Sequence, residues 1–179
     1  MANNCTTLAG IALDCRDNVG GIEAIYIQNV DTSLTIGGDP DSGATAVTTV
    51  TIDGSPLAAD LASMDKYELV KQTGTLTETG TFSDENGTVF FTSVASAVFN
   101  KMEATKLTEL YQLAISAKLA VLVKDNNGIF WMIGNDRGAV ATSSTEETGT
   151  AYGDRNGLTI EFTGIDNGPM LEVTGITAV

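Results

Sequence analysis

Three short runs set oxygen-bearing side chains at alternate positions ahead of a glycine: Asp84-Glu85-Asn86-Gly87, Asp125-Asn126-Asn127-Gly128 and Asp154-Arg155-Asn156-Gly157. Such spacing could ligate calcium, a hard cation that takes oxygen ligands. An EF-hand loop needs ligands at positions 1, 3 and 5 and a closing glutamate at 12. Counting from Asp125 puts Ile129 at 5 and Asp136 at 12; counting from Asp84 puts Thr88 and Ala95 there. Neither loop closes. Asn-Gly supplies the positive φ that tight turns require, so these runs read as turns, and no metal site is expected.

Other chemistries fare no better. The run Gly149-Thr150-Ala151-Tyr152-Gly153-Asp154-Arg155-Asn156-Gly157 is glycine-rich, but a phosphate-binding loop ends in Gly-Lys-Ser/Thr and opens a helix. Here Leu158–Thr163 follows, a strand pattern, so the run reads as a loop entering a strand. Glu146 and Glu147 are adjacent, as are Asp84 and Glu85; a glycosidase pair must instead be held apart across a cleft. The chain has no histidine, which removes the commonest general base and metal ligand. Cys5 has no visible base partner. Trp131 lies in an apolar run and reads as a core or interface anchor. No catalytic residue, cofactor or enzymatic activity is expected.

The bulk properties narrow the partners. There are 179 residues, enough for one domain (1–179) with its own core. Charged residues make up 18% of the chain, while Thr, Gly, Val and Ala are plentiful, a pattern that fits a surface partly covered by neighbours. The net charge of −14 opposes gripping nucleic acid or an anionic membrane. We find no secretory n-region before an apolar run, and no apolar stretch of about 18 residues. Cys5 and Cys15 could pair, but nothing in the sequence requires it.

The elements that would position these residues are mostly strands. Residues 1–20 read as an N-terminal arm, and Ile22–Val30 as a first strand. Residues 31–57 read as an extended hairpin, its β-prone runs Ser33–Ile36 and Ala46–Ile52 separated by the turn-rich 37–43. Residues 57–65 hold a short helical turn. From Tyr67 to Phe82, Thr73, Thr75, Thr77, Thr79 and Thr81 alternate strictly, which puts them on one strand face, with Gly74, Leu76, Glu78, Gly80 and Phe82 opposite. After Asp84–Gly87 a second arm, Thr88–Phe99, returns. Asn100 and Glu103 resemble a capping box opening a helix over 101–116, with an apolar stripe of Met102, Leu107, Leu110, Tyr111 and Ala114. Lys118–Lys124 and Ile129–Gly134 form a hairpin apolar on both faces, to be covered on both sides. Residues 135–157 read as loop, and Leu158–Thr163 and Met170–Thr174 as the last strands.

Three stretches in this order carry a resemblance: Asp84-Glu-Asn-Gly-Thr-Val-Phe-Phe-(x)8-Asn-Lys-Met-Glu-Ala, Val123-Lys-Asp-Asn-Asn-Gly-Ile-Phe-Trp-Met-Ile-Gly, and Gly149-Thr-Ala-Tyr-Gly-Asp-Arg-Asn-Gly. Together, over about residues 65–164, the chain resembles phage and prophage virion structural proteins of the tail tube type. The resemblance implies a mainly β fold: two packed antiparallel sheets, sandwich- or barrel-like, with one flanking helix and long hairpin extensions. It implies hexameric rings stacked into a hollow tube, with hairpins of neighbouring subunits joined in an inner barrel. Other tail proteins would be partners, DNA would pass without specific binding, and no membrane would be involved. The protein would be made in the bacterial host cytoplasm and reside in the virion.

On that reading the Tyr67–Phe99 hairpin lines the lumen through Thr75, Thr77, Thr79, Glu78, Asp84 and Glu85: a wettable face with acidic neighbours that repel phosphate. Gly38, Asp39, Pro40 and Asp41 are the candidates for contact with the next ring. The alternatives are another virion ring or connector protein, a capsid decoration protein, or a carbohydrate-binding or adhesin module with an exposed aromatic platform.

Overall fold

The computed structural model describes residues 11, 18–36, 46–47, 49–57 and 61–176. Cys5, Cys15, most of the 1–20 arm and the tip residues Gly38, Asp39, Pro40 and Asp41 lie outside the described residues. Among the described residues the chain is mainly β, with one helix.

In chain order the elements are β1 (Ile22–Asn29), β2 (Leu34–Ile36), β3 (Ala46–Val47), β4 (Val50–Ile52), β5 (Ser55–Pro56), β6 (Asp65–Glu68), β7 (Thr75–Ser83) and β8 (Thr88–Asn100). Then come α1 (Ala104–Ile115), β9 (Leu119–Asp125), β10 (Phe130–Ile133), β11 (Ala139–Glu147), β12 (Gly157–Asp166) and β13 (Leu171–Val173). A large sheet runs β3-β13-β10-β9-β11-β12-β8-β7, with β1 joining β9 and β6 joining β1; β2, β4 and β5 form a small second sheet. All its pairings are antiparallel except β13 with β3.

Two halves of the large sheet meet where β9 joins β11. Those strands share one paired position, Ala139 with Leu119. Glycines permit the close backbone approach there: a Cβ on Gly164 would stand 2.6 Å from the Gly134 nitrogen, and Gly134 itself has φ +74°. The two halves therefore bury side chains in one cluster. Ile25, Val121, Val123 and Ile133 come from one half, Ala95, Ala97, Ile160 and Phe162 from the other, and Leu110 and Leu113 from α1. Truncating Ile160 to Ala there would cost about 2–5 kcal/mol.

The β9–β10 hairpin is covered on both faces, as its composition requires. Leu119, Val121 and Val123 enter the cluster shared with α1, whereas Ala120, Leu122 and Met132 pack with Val50 and Ile52 of the small sheet.

Several expectations are corrected. The run from Tyr67 is not one strand. It breaks at a turn where Gln72 has φ +62° and the Thr73 hydroxyl donates to the Val70 carbonyl at 2.7 Å, and Tyr67 belongs to β6, opposite Ile25. Asn100 ends β8 rather than capping α1; the residue before the helix, Glu103, makes no side-chain cap. The helix buries Leu110 and Leu113 but leaves Leu107, Tyr111 and Ile115 exposed, because it meets the sheet along a narrow i, i+3 line. Residues 135–157 hold β11, a nine-residue strand. Residues 61–64 form a single turn, closed by Met64 N–H to the Leu61 carbonyl at 3.0 Å.

Candidate assembly surface

The four strands β11, β12, β8 and β7 form a continuous antiparallel segment. One face of it is buried. On β12, Leu158, Ile160, Phe162 and Asp166 point inward while Thr159, Glu161, Thr163 and Ile165 point outward, the period-two alternation of a half-covered strand. Register carries the outward set across the sheet. Ser143, Glu161, Ser96 and Thr75 align in one row, and Thr163, Val94 and Thr77 in the next; Thr92 sits opposite Thr79, and Phe90 opposite Thr81.

This outward face is built mostly of Thr, Ser and Val, with Phe90 and Ile165 among them; its carboxylates are Glu161 and, at the far end in the row of Gly157 and Asn100, Glu147, which pairs with the Arg155 guanidinium. The Glu161 side chain accepts from the Ser143 hydroxyl at 2.8 Å, and the Thr142 and Thr163 hydroxyls lie 3.0 Å apart. No described element covers the face: its residues are half-buried or exposed. A solvated face of a lone domain normally carries charge.

Both lateral edges of the segment are open. Among the described residues β7 ends the sheet with β8 as its one neighbour. On the other side β11 pairs with β9 at Ala139 only, so among the described residues Thr142–Glu147 has β12 on one side and no strand on the other. Long unpaired edges are rows of free N–H and C=O groups, templates for another chain.

The candidate lumen residues divide between two faces and a turn. Thr75, Thr77 and Thr79 are exposed on the outward face. Glu78 is not with them. It is half-buried on the opposite face, where its carboxylate accepts from the Ser93 hydroxyl at 3.1 Å and the Met170 N–H at 2.6 Å. Asp84 and Glu85 are exposed in the turn joining β7 to β8.

The Asn-Gly runs are turns, and in two of them the aspartate holds backbone amides, while in the first the Asn86 N–H donates to the Ser83 hydroxyl. Asp125 accepts from the N–H groups of Asn127 and Ile129 at 2.8 and 2.9 Å and from the Trp131 indole at 3.2 Å. Asp154 accepts from Ala151 and Thr150 at 2.7 and 2.8 Å, and these amides hold its carboxyl below the usual aspartate range. Trp131 is thus half-buried in the hairpin, and the exposed rings stand apart, Phe82 on β7, Tyr111 on α1 and Tyr152 in the loop between β11 and β12.

Comparison with protein-family models, with curated proteins and with solved structures finds no significant match to this chain.

The β11 edge escapes sequence reasoning. Ala139-Val-Ala-Thr-Ser-Ser-Thr-Glu-Glu has no inward apolar row beyond Ala139 and Ala141. The β-branched Val140, Thr142 and Thr145 were the one available signal.

Proposed function

We propose that the chain is a virion structural protein, a tail tube subunit that closes into rings by joining the β7 edge of one copy to the Thr142–Glu147 edge of the next. The observation that carries this reading is the pair of open edges flanking one uncovered, nearly uncharged face. The strands alternate in direction across the segment, so β7 and β11 run opposite ways. Copies related by rotation therefore meet in antiparallel register, and the closed ring has no edge left. Six four-stranded segments, the number the resemblance implies, would give a barrel with a backbone diameter of roughly 45 Å, wide enough for duplex DNA. The outward Thr, Ser and Val face then lines the channel. It wets without attracting phosphate, and the chain's excess of acid discourages adhesion elsewhere.

Light scattering and negative-stain microscopy of the purified protein test this reading. Sixfold rings or tubes support it. Rings of another symmetry favour a connector, and a monomer at all concentrations overturns self-assembly altogether.

A further inference from the structure

The two ends of the β7–β8 hairpin are unlike. At the turn end, Phe82 and Val89 pair across the strands and are 67% and 54% exposed. Phe82 is not loose. Its ring meets Phe91 edge-on, with centroids 5.8 Å apart, and covers Gly80, where a Cβ would come within 2.6 Å of the ring. The turn beside this knob carries Asp84 and Glu85, which make no ion pair with any described residue.

At the other end, where β8 runs into α1, lies an open apolar cleft of about 220 Å³, lined by Tyr67, Phe99, Leu110, Leu113, Leu158 and Ile160. A dry cavity of roughly 150 Å³ holds a benzene ring, so this one has room for a phenyl group. Lys66, Glu68, Lys106 and Glu109 stand around it. Lys66 pairs with Glu68, whereas the Lys106 ammonium donates to the main-chain carbonyls of Asn100 and Lys101.

Val89 and Phe99 lie on the same face of β8, ten residues and roughly 33 Å apart. A chain cannot fill its own cleft with its own knob. A second copy offset along the hairpin axis is the occupant that fits: its knob is apolar like the cleft, and its Asp84 and Glu85 complement Lys106, which pairs with no carboxylate among the described residues. Such a head-to-tail contact is heterologous and does not close, so it propagates as a stack.

We propose that copies stack axially by seating the Phe82–Val89 knob of one chain in the cleft between α1, β8 and β12 of the next. This rests on the reading that the protein self-assembles and names the contact between successive rings. The test uses the full chain with C5S and C15S, so that introduced thiols are the only ones. Thr105 is exposed and lines the cleft. Under mild oxidation, F82C combined with T105C in one chain should give a ladder of disulfide-linked species, and mixing the two single variants should give one heterodimer. Neither single variant should cross-link alone. Phe82→Ser, at an exposed site, should leave rings but raise the concentration needed for stacking about tenfold or more. Stacks by microscopy without a ladder, or dimers of F82C with itself, overturn the axial contact and leave ring formation standing. A wild-type chain that never assembles removes both.

Discussion

Glu78 and Ser93 face each other across β7 and β8, and the buried Ser93 hydroxyl donates to the Glu78 carboxylate at 3.1 Å. The same oxygen receives the Met170 N–H at 2.6 Å, which ties the hairpin to the loop ahead of β13. Glu78→Ala would strand both donors, and an unmet buried donor costs about 1–3 kcal/mol. Urea unfolding should show a loss of that order, with Glu78→Gln milder because its amide oxygen still accepts. Glu85→Lys, exposed in the turn, should stay within about 0.5 kcal/mol of wild type. Equal losses at the two positions would remove the distinction drawn between them.

The open edges make a separate prediction. An edge strand has alternate amides that point to solvent in the free chain and exchange their hydrogens readily. Joining β7 to the Thr142–Glu147 edge would bond them. Hydrogen exchange should therefore slow in both segments when dissociated protein assembles, while β9, already interior, changes little. Protection of one edge without the other would break the proposed ring junction.

Asp166 sets a pH dependence. Burial pushes its carboxyl up; the N–H groups of Asp136, Asn135 and Gly134 oppose this, and the Asp136 charge adds to it. A carboxyl with a raised folded pKa binds extra proton in the native state, so its contribution to stability falls as pH rises from 3.8 through the folded value. Asp53 and Asp154, lowered by backbone amides, act in the opposite sense: their contribution is present above 3.8 and is lost on acidification. In Asp166→Asn the first slope disappears. The stability of the variant relative to wild type should therefore rise between about pH 3 and pH 7. A difference flat with pH would show that the buried carboxyl is not perturbed.

Legibility followed burial. β1, the β9–β10 hairpin and β12 carry apolar residues whose period reports which face is covered, and the sequence places them within a residue or two at most ends, β12 excepted. The threonine alternation from Thr75 to Thr81 is equally plain because no packing interrupts it. What fails is structure set by long-range partners. β11 is a strand because β12 offers it a ladder from Glu147 back to Ala139, and its own Ser, Thr and Glu residues look like loop. The break before Thr75 depends on β6 turning away to pair with β1. The orientation of Glu78 was readable from period two, but its partner Met170 lies 92 residues away and has no local signature.

The threonine face makes the last prediction. Thr77 and Thr79 are exposed and neutral, so replacing both with Lys should leave the free chain's stability within about 0.5 kcal/mol per site. In an assembled tube each exchange would instead be repeated around a ring facing inward. A closed band of ammonium groups attracts phosphate, and the attraction weakens steeply as salt rises, because each neutralised phosphate releases counterions. Tubes of T77K/T79K should thus retain DNA at low ionic strength and release it at high, where wild-type tubes retain little at either. Thr77→Asp with Thr79→Asp gives the control, since added negative charge in the same place should retain no more than wild type. Lysine tubes that hold no more DNA than wild type would mean that this face does not line the passage, whatever the symmetry of the ring.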